Sequence, residues 1–168
     1  MQAPRLTNTS YIVLGLLEFA GEATPYELKQ MVAASVGNFW SIPHAQFYTE
    51  PERLAGGGYV SERRESGGRR RRRYKLTKRG REALAEWRAT PTDEFTELRD
   101  PGLLKLFFGA DPRPLAELQL AAHRRKLEEY EALKAHDQGT EPRGPWLALD
   151  SGIAHEREWI RYWSELAD

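Results

Sequence analysis

Apolar residues recur every three to four positions in the first part of the chain, which is the spacing of an amphipathic helix. The first such stretch follows N-cap candidates at Asn8, Thr9 and Ser10 and is expected to stop at Gly21. Its apolar positions are Tyr11, Val13, Leu14, Leu17 and Ala20. Side chains of the N-cap type accept hydrogen bonds from the free amides of a first turn, so the pattern predicts a helix.

A second helix is predicted from the start signal Thr24-Pro25-Tyr26-Glu27. Threonine suits the N-cap and proline suits the first helical position. A glutamate three residues after the cap can bond back to the cap amide. Leu28, Met31 and Val32 then give the helix an inward face, and it is expected to end near 35–37.

A third helix is expected over 43–56, after the aromatic connection 39–42. Phe47, Pro51 and Leu54 are predicted to face inward. The residues on or beside its other face are His44, Gln46, Tyr48, Thr49 and Arg53. A proline inside a helix removes one hydrogen bond and crowds the preceding turn, at a cost of about 3 kcal/mol. Pro51 therefore predicts either a kink or a loosely formed first turn.

The pattern then changes to the alternation that is typical of strands. Two short strands are predicted, 59–63 and 74–76, with a turn at 66–68 and the arginine run 69–73 between them. Glycine tolerates the positive φ of a tight turn, so the arginines are expected to lie on a β-hairpin. Thr77 is placed to cap a fourth helix, which runs through Ala83, Leu84 and Trp87.

This order of three helices, a hairpin and a helix is typical of a winged helix-turn-helix, so the predicted fold class is mainly α with a small β-hairpin wing. In such a domain the third helix enters the major groove of DNA, and the wing follows the phosphate backbone.

The rest of the chain predicts helices only. Breaks at 90–92 and 111–114 enclose a short apolar element at 103–108. A long helix is expected over about 115–136, with Leu120, Leu127 and Tyr130 at helical spacing. A last helix carries Leu149, Ile153, Ile160, Trp163 and Leu166. Two short amphipathic helices cannot bury such faces alone, so this half is expected to pair with a second subunit.

Charge divides the chain at the same place. The whole chain is neutral, yet residues 1–90 hold 15 lysines and arginines against 9 acidic residues, a net charge of +6. Residues 91–168 hold 10 against 16, a net charge of −6. We therefore expect a DNA-binding winged helix-turn-helix domain over 1–90 and an acidic helical dimerisation domain over 91–168.

Composition argues against several other classes. The chain has no cysteine, which excludes disulfides and thiolate metal sites. No stretch is apolar for long enough to cross a bilayer, and the N-terminus lacks the apolar region of a signal peptide, so a cytoplasmic protein without a membrane partner is expected. His123, His136 and His155 lack a recognisable metal spacing, and no catalytic or phosphate-loop motif is present. We expect no metal, no cofactor and no enzymatic activity.

Six short motifs in the first half carry a family resemblance. They are Tyr11-Ile12-Val13-Leu14-Gly15-Leu16-Leu17, Thr24-Pro25-Tyr26-Glu27-Leu28, Phe39-Trp40-Ser41-x-Pro43-x-x-x-Phe47-Tyr48, Arg53-Leu54, Gly58-Tyr59-Val60 and Arg73-Tyr74-x-Leu76-Thr77-x-x-Gly80. In this order and spacing they resemble the PadR family of bacterial transcriptional regulators. The acidic half looks like the variable C-terminal domain of the longer PadR proteins.

The resemblance implies a homodimeric repressor that binds a palindromic operator in double-stranded DNA and is released by a small-molecule effector or stress signal. Pro51 departs from the family, which usually has an apolar, helix-compatible residue there. One PadR lineage binds flat aromatic drugs through a tryptophan on the helix after the wing. Trp87 is in a comparable place, and Trp87 and Trp40 are ligand candidates; core or dimer packing is the alternative for both.

The candidate DNA-binding residues come from the second helix, the third helix with its preceding loop, and the wing. They are Tyr26, Lys29, Ser41, His44, Gln46, Tyr48, Thr49, Arg53, Arg70, Arg71, Arg72 and Arg73. Glutamine can pair with adenine in the major groove, and arginines suit phosphate. The alternatives are a charged hairpin in solvent for the arginine run, solvated side chains for His44 and Gln46, and a partly buried aromatic for Tyr48.

Strand alternation predicts that the arginine run is divided between two faces. Arg70 and Arg72 share a face with Tyr74, whereas Arg71 and Arg73 share the other with Lys75. Only part of the run can meet one backbone, so a dimer is expected to neutralise about six phosphates, with a log–log salt slope near −5. An alternative function is a ligand-sensing or protein-interaction module that has kept the fold and lost operator binding, which Pro51 favours.

Overall fold

The computed structural model describes residues 4–65 and 71–167 of the chain. They form two compact units, one ending at Glu94 and the other beginning at Phe95. Within the described residues, the first unit holds four α-helices and a two-stranded hairpin, and the second holds three α-helices. The predicted fold class, mainly α with a small β-hairpin wing, is confirmed.

The first helix, α1, is Asn8–Ala20. Its N-cap is Thr7, whose hydroxyl accepts a hydrogen bond from the amide of Ser10, while the Ser10 hydroxyl accepts one from the amide of Thr7. The sequence placed the cap within 8–10, which is wrong by one residue, because a serine at the third helical position completes a capping box. Gly21 ends the helix with a φ of 73°, as predicted.

The second and third helices form the helix-turn-helix. The second, α2, is Pro25–Ala33, and Thr24 and Glu27 exchange the predicted pair of capping hydrogen bonds. A 3₁₀ turn at Val36–Asn38 follows, and the third helix, α3, is Gln46–Gly56. It begins three residues later than expected, so Ser41 and His44 lie in the loop before it.

Pro51 lies inside α3 with its side chain buried, and the helix continues through it. The first turn of α3 has irregular hydrogen bonding. The amides of Gln46, Phe47 and Tyr48 each bond to the carbonyl three residues back, at 3.0–3.2 Å, and no side chain caps the helix. Such 3₁₀ bonding holds a turn weakly. The first turn of α3 is therefore closed by 3₁₀ bonds, while the bond that Pro51 cannot donate is the one to the Phe47 carbonyl.

The hairpin consists of β1, Val60–Arg64, and β2, Arg72–Leu76, in antiparallel register with Val60 opposite Leu76. Ala23 adds a bridge on the outer side of β2, exchanging two backbone hydrogen bonds with Tyr74 at 2.8 and 3.0 Å. The predicted turn at 66–68, with Arg69 and Arg70, lies outside the described residues. The fourth helix, α4, is Lys78–Ala89, and Thr77 caps it as predicted.

The core of the first unit lies around α1, which packs against α3, α4 and β2. Its most buried side chains are Val13, Leu14, Leu17, Leu28, Phe47, Leu54, Tyr74 and Leu84. The inward positions predicted for α3 are confirmed, because Phe47, Pro51 and Leu54 are all buried. Burial of these three leaves the other sides of α3 to contact α1 and solvent.

The second unit consists of α5, Pro101–Phe107, α6, Pro112–Lys134, and α7, Gly144–Ala167. α6 packs against α7, and the packing buries Ala116, Leu120, Ile153 and Trp163. The two helices have 23 and 24 residues, and of their predicted apolar positions only Leu120, Ile153 and Trp163 are buried within the single chain. Within the described residues, no helix is long and apolar enough to cross a membrane.

Candidate nucleic-acid interface

Solvent reaches one side of α3. Tyr48, Thr49 and Glu52 are exposed along it, and Ser41 and His44 are exposed in the loop before it. Spacings of three and four place Tyr48, Thr49 and Glu52 on one helical stripe. We call these three residues the outward stripe. With the loop residues, four predicted site residues expose hydroxyl or imidazole groups to solvent.

A second stripe of α3 faces α1, and two predicted site residues lie on it. The Gln46 side-chain oxygen accepts a hydrogen bond from the Thr9 hydroxyl at 3.0 Å. Arg53 contacts the Glu50 carboxylate at 2.6 Å and the Ser10 hydroxyl at 2.9 Å. Both were predicted on or beside the outer face, but the helical register turns them toward α1.

Glu50 lies at the centre of this contact and is ionised despite its burial. Desolvation opposes ionisation, but hydrogen bonds from Arg53 and Ser10 outweigh it and lower the pKa of the Glu50 carboxyl. The same hydrogen bond to Glu50 raises the pKa of Arg53. The charges therefore stabilise each other at the junction of α1 and α3.

Two predicted residues of α2 lie toward solvent. Tyr26 is exposed, and its hydroxyl accepts a hydrogen bond from the Gln30 amide at 3.1 Å. Lys29 is half-buried on the same helix. Their position at the start of α2 suits contact with a backbone that passes over the helix-turn-helix.

The wing arginines are paired with glutamates of the same chain. Arg72 contacts Glu52 on α3 at 3.0 Å and Glu62 on β1 at 3.6 Å. The hydrogen bond to Glu52 is the largest influence that raises the pKa of Arg72. Arg72 and Tyr74 are two residues apart, so they lie on the same face of β2. Glu62, which contacts Arg72, is the cross-strand partner of Tyr74. The wing and the outward stripe of α3 are thus joined by an ion pair.

Arg73 is held on the other strand face by three carboxylates. It contacts Glu22 at 3.1 Å, Glu65 at 3.5 Å and Glu27 at 3.6 Å. Arg63, opposite Arg73 across the hairpin, also contacts Glu22 at 3.1 Å. Hydrogen bonds from Arg63 first, and from Arg73, lower the pKa of Glu22. This pairing follows the predicted alternation of the arginine run.

Of the remaining two arginines of the prediction, one lies within the described residues. Arg71 is exposed next to β2, and its positive charge helps to lower the pKa of Glu27. Arg70 lies outside the described residues.

The two tryptophan candidates are half-exposed. Trp87 on α4 stacks on Tyr11 of α1, with ring centroids 4.8 Å apart and an interplanar angle of 10°. Trp40 lies in the loop before α3, beside an exposed Phe39. Neither side chain belongs to the buried core, so packing accounts for only part of each surface.

The second unit has a polar contact that the sequence did not predict. His123 on α6 lies 2.5 Å from the Glu156 carboxylate on α7, and the His123 ring stacks on Trp159. Among the described residues, no group of three or more histidine or acidic side chains is arranged to hold a metal ion.

Comparison with known proteins assigns this architecture. Residues 13–86 match the model of the transcriptional regulator PadR-like family. The negative transcriptional regulator PadR of Bacillus subtilis is 27% identical over 169 residues, which is 90% of this chain and 91% of the relative. The first unit of this chain therefore contains a PadR-like domain. The PadR resemblance predicted from the motifs is confirmed, as is the expectation of a non-enzymatic protein, because its relatives are regulators. Residues 98–168 match a second model, virulence activator alpha C-term.

Solved PadR structures have the same fold. The crystal structure of Bacillus subtilis PadR in complex with operator DNA has a TM-score of 0.84 and 22% identity, covering 98% of both chains. That of Bacillus subtilis PadR with p-coumaric acid has a TM-score of 0.76 and 21% identity, covering 97% of both chains. At these identities the likeness establishes the fold of the PadR-like chain.

Sequence reasoning missed the carboxylates that pair with the site arginines. Glu22, Glu52 and Glu62 are far from their partners in sequence or are separated from them by a change of element. Only Glu50 and Arg53, three residues apart on one helix, carry a sequence signal for their contact.

Proposed function

We propose that the chain is a homodimeric repressor that binds an inverted-repeat operator and is released by a small-molecule effector. The observation that carries this function is the outward stripe of α3 beside a wing rich in arginine. The repressor acts in the bacterial cytoplasm and is associated with the nucleoid when it is bound to DNA. The N-terminal unit binds DNA, and the acidic C-terminal unit forms the dimer.

Two properties of relatives support DNA binding and repression. Bacillus subtilis PadR, which is 27% identical, is a negative transcriptional regulator. The same protein has been crystallised with operator DNA, and its chain shares the present fold from end to end. The exposed residues of α3 and the loop before it are therefore assigned to DNA, with Tyr48 and Thr49 nearest the bases.

The wing is proposed to supply affinity and salt dependence. Arg71, Arg72 and Arg73 lie on or beside β2, and phosphate oxygens can replace the glutamates that pair with Arg72 and Arg73. Phosphate contacts position a protein on the duplex without reading its sequence. Sequence preference is accordingly assigned to α3 and its preceding loop.

The dimer is proposed to form through the second unit. Leu104, Phe107 and Phe108 are exposed on and next to α5, with Phe107 83% and Phe108 78% exposed. An apolar patch of this kind on an ordered helix is typical of a protein interface. A second copy is the occupant that also supplies the two-fold symmetry of an inverted repeat.

A mobility-shift assay with the DNA upstream of the chain's own gene tests the function, with a random duplex as competitor. Selective, salt-sensitive binding is expected. Equal affinity for both duplexes would favour the alternative of a module that has lost operator binding. Replacing Arg70, Arg71 and Arg72 with alanine should weaken binding while leaving the circular dichroism spectrum unchanged.

The effector is proposed to be a small planar aromatic molecule. Bacillus subtilis PadR has been crystallised with p-coumaric acid, and Trp87 with Tyr11 offers a half-exposed stacked pair in this chain. Titration with p-coumaric acid as the probe should quench tryptophan fluorescence in wild type and less in Trp87→Phe, with Trp40→Phe as the matched variant. Equal quenching in all three proteins would remove Trp87 from the effector site.

A further inference from the structure

We propose, building on the function above, that Arg53 is a positioning residue and not a phosphate contact. With Ser10 and Glu50 it forms a polar anchor that fixes the orientation of α3 against α1. The anchor decides how well the outward stripe of α3 is aligned with base edges. It therefore acts on the choice of DNA sequence through residues that do not touch DNA.

The donors of Arg53 are almost all occupied inside the chain. Its Nε donates to Glu50 at 2.8 Å, and its Nη2 donates to Glu50 at 2.6 Å and to Ser10 at 2.9 Å. Its Nη1 donates to the carbonyl of Arg5 at 3.0 Å. Four of the five guanidinium donors are used, so a phosphate could be bound by two donors only if contacts that are already formed were broken.

Ser10 is the point at which the anchor joins α1. Its hydroxyl donates to Glu50 at 2.6 Å and accepts from the amide of Thr7 at 2.8 Å. The same side chain thus closes the capping box of α1 and binds α3. Ser10 has no exposed surface, and Glu50 is 9% exposed. Removing one member would leave a buried polar group without its partner, which a folded protein tolerates poorly.

The anchor matters for α3 because the backbone of this helix is weakly held at its start. It has no N-cap side chain, its first turn is closed by 3₁₀ bonds, and Pro51 removes one backbone donor. Gln46, Glu50 and Arg53 are spaced by four and three residues, so they form one stripe along the side that faces α1. With the bond from Thr9 to Gln46, this stripe ties both ends of α3 to α1.

The outward residue Tyr48 lies on the opposite side of the helix from this stripe, and Thr49, three residues after Gln46 and four before Arg53, lies at its edge. A small rotation of α3 would move them relative to the bases, whereas the wing arginines would keep their places on the hairpin. Loss of the anchor should therefore weaken operator binding and leave the sequence-independent attraction to phosphate intact.

The experiment compares Arg53→Met, Ser10→Ala and the double variant with wild type, as full-length protein. Affinity is measured for the upstream DNA of the chain's own gene and for a random duplex, from about 50 to 200 mM salt. Arg88→Met is the matched control, because Arg88 also pairs with a residue of α1, Glu18, but from α4. Thermal unfolding is followed by circular dichroism. If Arg53→Met fails to fold, Arg53→Met combined with Glu50→Gln removes both charges together.

Arg53→Met and Ser10→Ala are each expected to lower the affinity for the upstream DNA by about tenfold. The salt slope and the affinity for the random duplex should stay at wild-type values, as should both affinities of Arg88→Met. The double variant should be no weaker than the weaker single variant, since both remove one network.

Two results would overturn the anchor. One is a salt slope reduced by about two per dimer in Arg53→Met, with random DNA weakened as well, which identifies a phosphate contact. The other is wild-type affinity in both single variants. Failure of the proposed function is a different result, because wild type itself would then bind the upstream and random DNA equally.

Discussion

At the scale of single residues, Gly80 leaves the least room for a side chain among the described glycines of the first unit. A Cβ at this position would lie 2.1 Å from the carbonyl oxygen of Tyr59 and 3.1 Å from Leu76. Thr77 donates two hydrogen bonds to the same carbonyl, at 2.9 and 3.1 Å, so the oxygen is held in place. The glycine of this sequence motif is therefore required for steric reasons, because α4 begins in contact with the backbone of Tyr59.

Gly80→Ala is expected to destabilise the protein by about 3 kcal/mol, because the methyl group overlaps a carbonyl that cannot move. The urea midpoint of unfolding measures the loss. Gly56→Ala is the matched control, since a Cβ there meets nothing within 4 Å and alanine favours a helix. Equal midpoints for the two variants would show that α4 can move away from the hairpin.

Glu50 gives a second residue-scale prediction, on pH. Its pKa is lowered from the ordinary value of 4.5, so the folded state binds this proton less readily than the unfolded state. The stability that Glu50 contributes is therefore complete above 4.5 and is lost as the pH falls through the lower pKa of the folded state. The free energy difference between wild type and Glu50→Gln should be smaller at about pH 3.5 than at about pH 7.

Urea unfolding at the two pH values measures this difference. Glu82→Gln, which removes an exposed carboxylate that is paired only with an exposed Lys78, serves as the control. A Glu50→Gln effect that is the same at both pH values would mean that the buried carboxyl is not ionised.

At the scale of elements, glutamates from neighbouring elements neutralise part of the positive charge of the hairpin. Arg72 and Arg73 are paired with glutamates from α2, α3, β1 and the turn before α2. These carboxylates neutralise part of the field that would attract DNA without regard to sequence. In the proposed complex, DNA would have to compete with them for the guanidinium groups, which would limit the contribution of the wing.

Glu52→Gln is accordingly expected to raise DNA affinity by about threefold to tenfold and to steepen the salt slope. Glu52 is the exposed partner of Arg72, and it lies on the outward stripe of α3. Fluorescence anisotropy with the upstream DNA and a random duplex measures both quantities. Glu86→Gln changes the net charge equally, at an exposed position of α4, and should have a smaller effect. The same gain in both variants would assign the effect to net charge alone.

At the scale of the whole molecule, the two units carry opposite charge, and both expose aromatic side chains. The first exposes Trp40 and Trp87 as well as polar groups of α3, and the second exposes Phe107 and Phe108 at α5. The match of the two halves to separate family models agrees with this division. A dimer formed through the second unit would couple two DNA-binding units on one inverted repeat.

Replacing both Phe107 and Phe108 with glutamate is expected to convert a dimer into a monomer, because it places charge in the proposed apolar contact. Sedimentation velocity measures the change, and operator affinity should fall with it. Gln138→Glu combined with Thr140→Glu adds the same charge at exposed positions of the loop before α7 and should leave the dimer intact. A dimer that survives the phenylalanine changes would place the interface elsewhere.

The order of the elements can be predicted from local sequence signals, since each start signal acts through neighbouring residues. Thr24 with Glu27, Thr77 and Gly21 all have local partners or local backbone requirements, and all three are as predicted. The alternation of the arginine run is local too, and the structure pairs Arg72 and Arg73 with different glutamates. The ends of helices were predicted less accurately, because no residue type marks the 3₁₀ bonding at the start of α3.

The packing of the elements on one another determines which polar side chains are available to a ligand. Arg53 and Gln46 are of residue types that often contact DNA, but the packing of α3 on α1 turns them toward Ser10 and Thr9. The glutamates that pair with the wing come from other elements, and their distances along the chain give no signal of contact. Helical and strand periods are set by neighbouring residues, whereas the pairing of distant charges is set by how the elements pack.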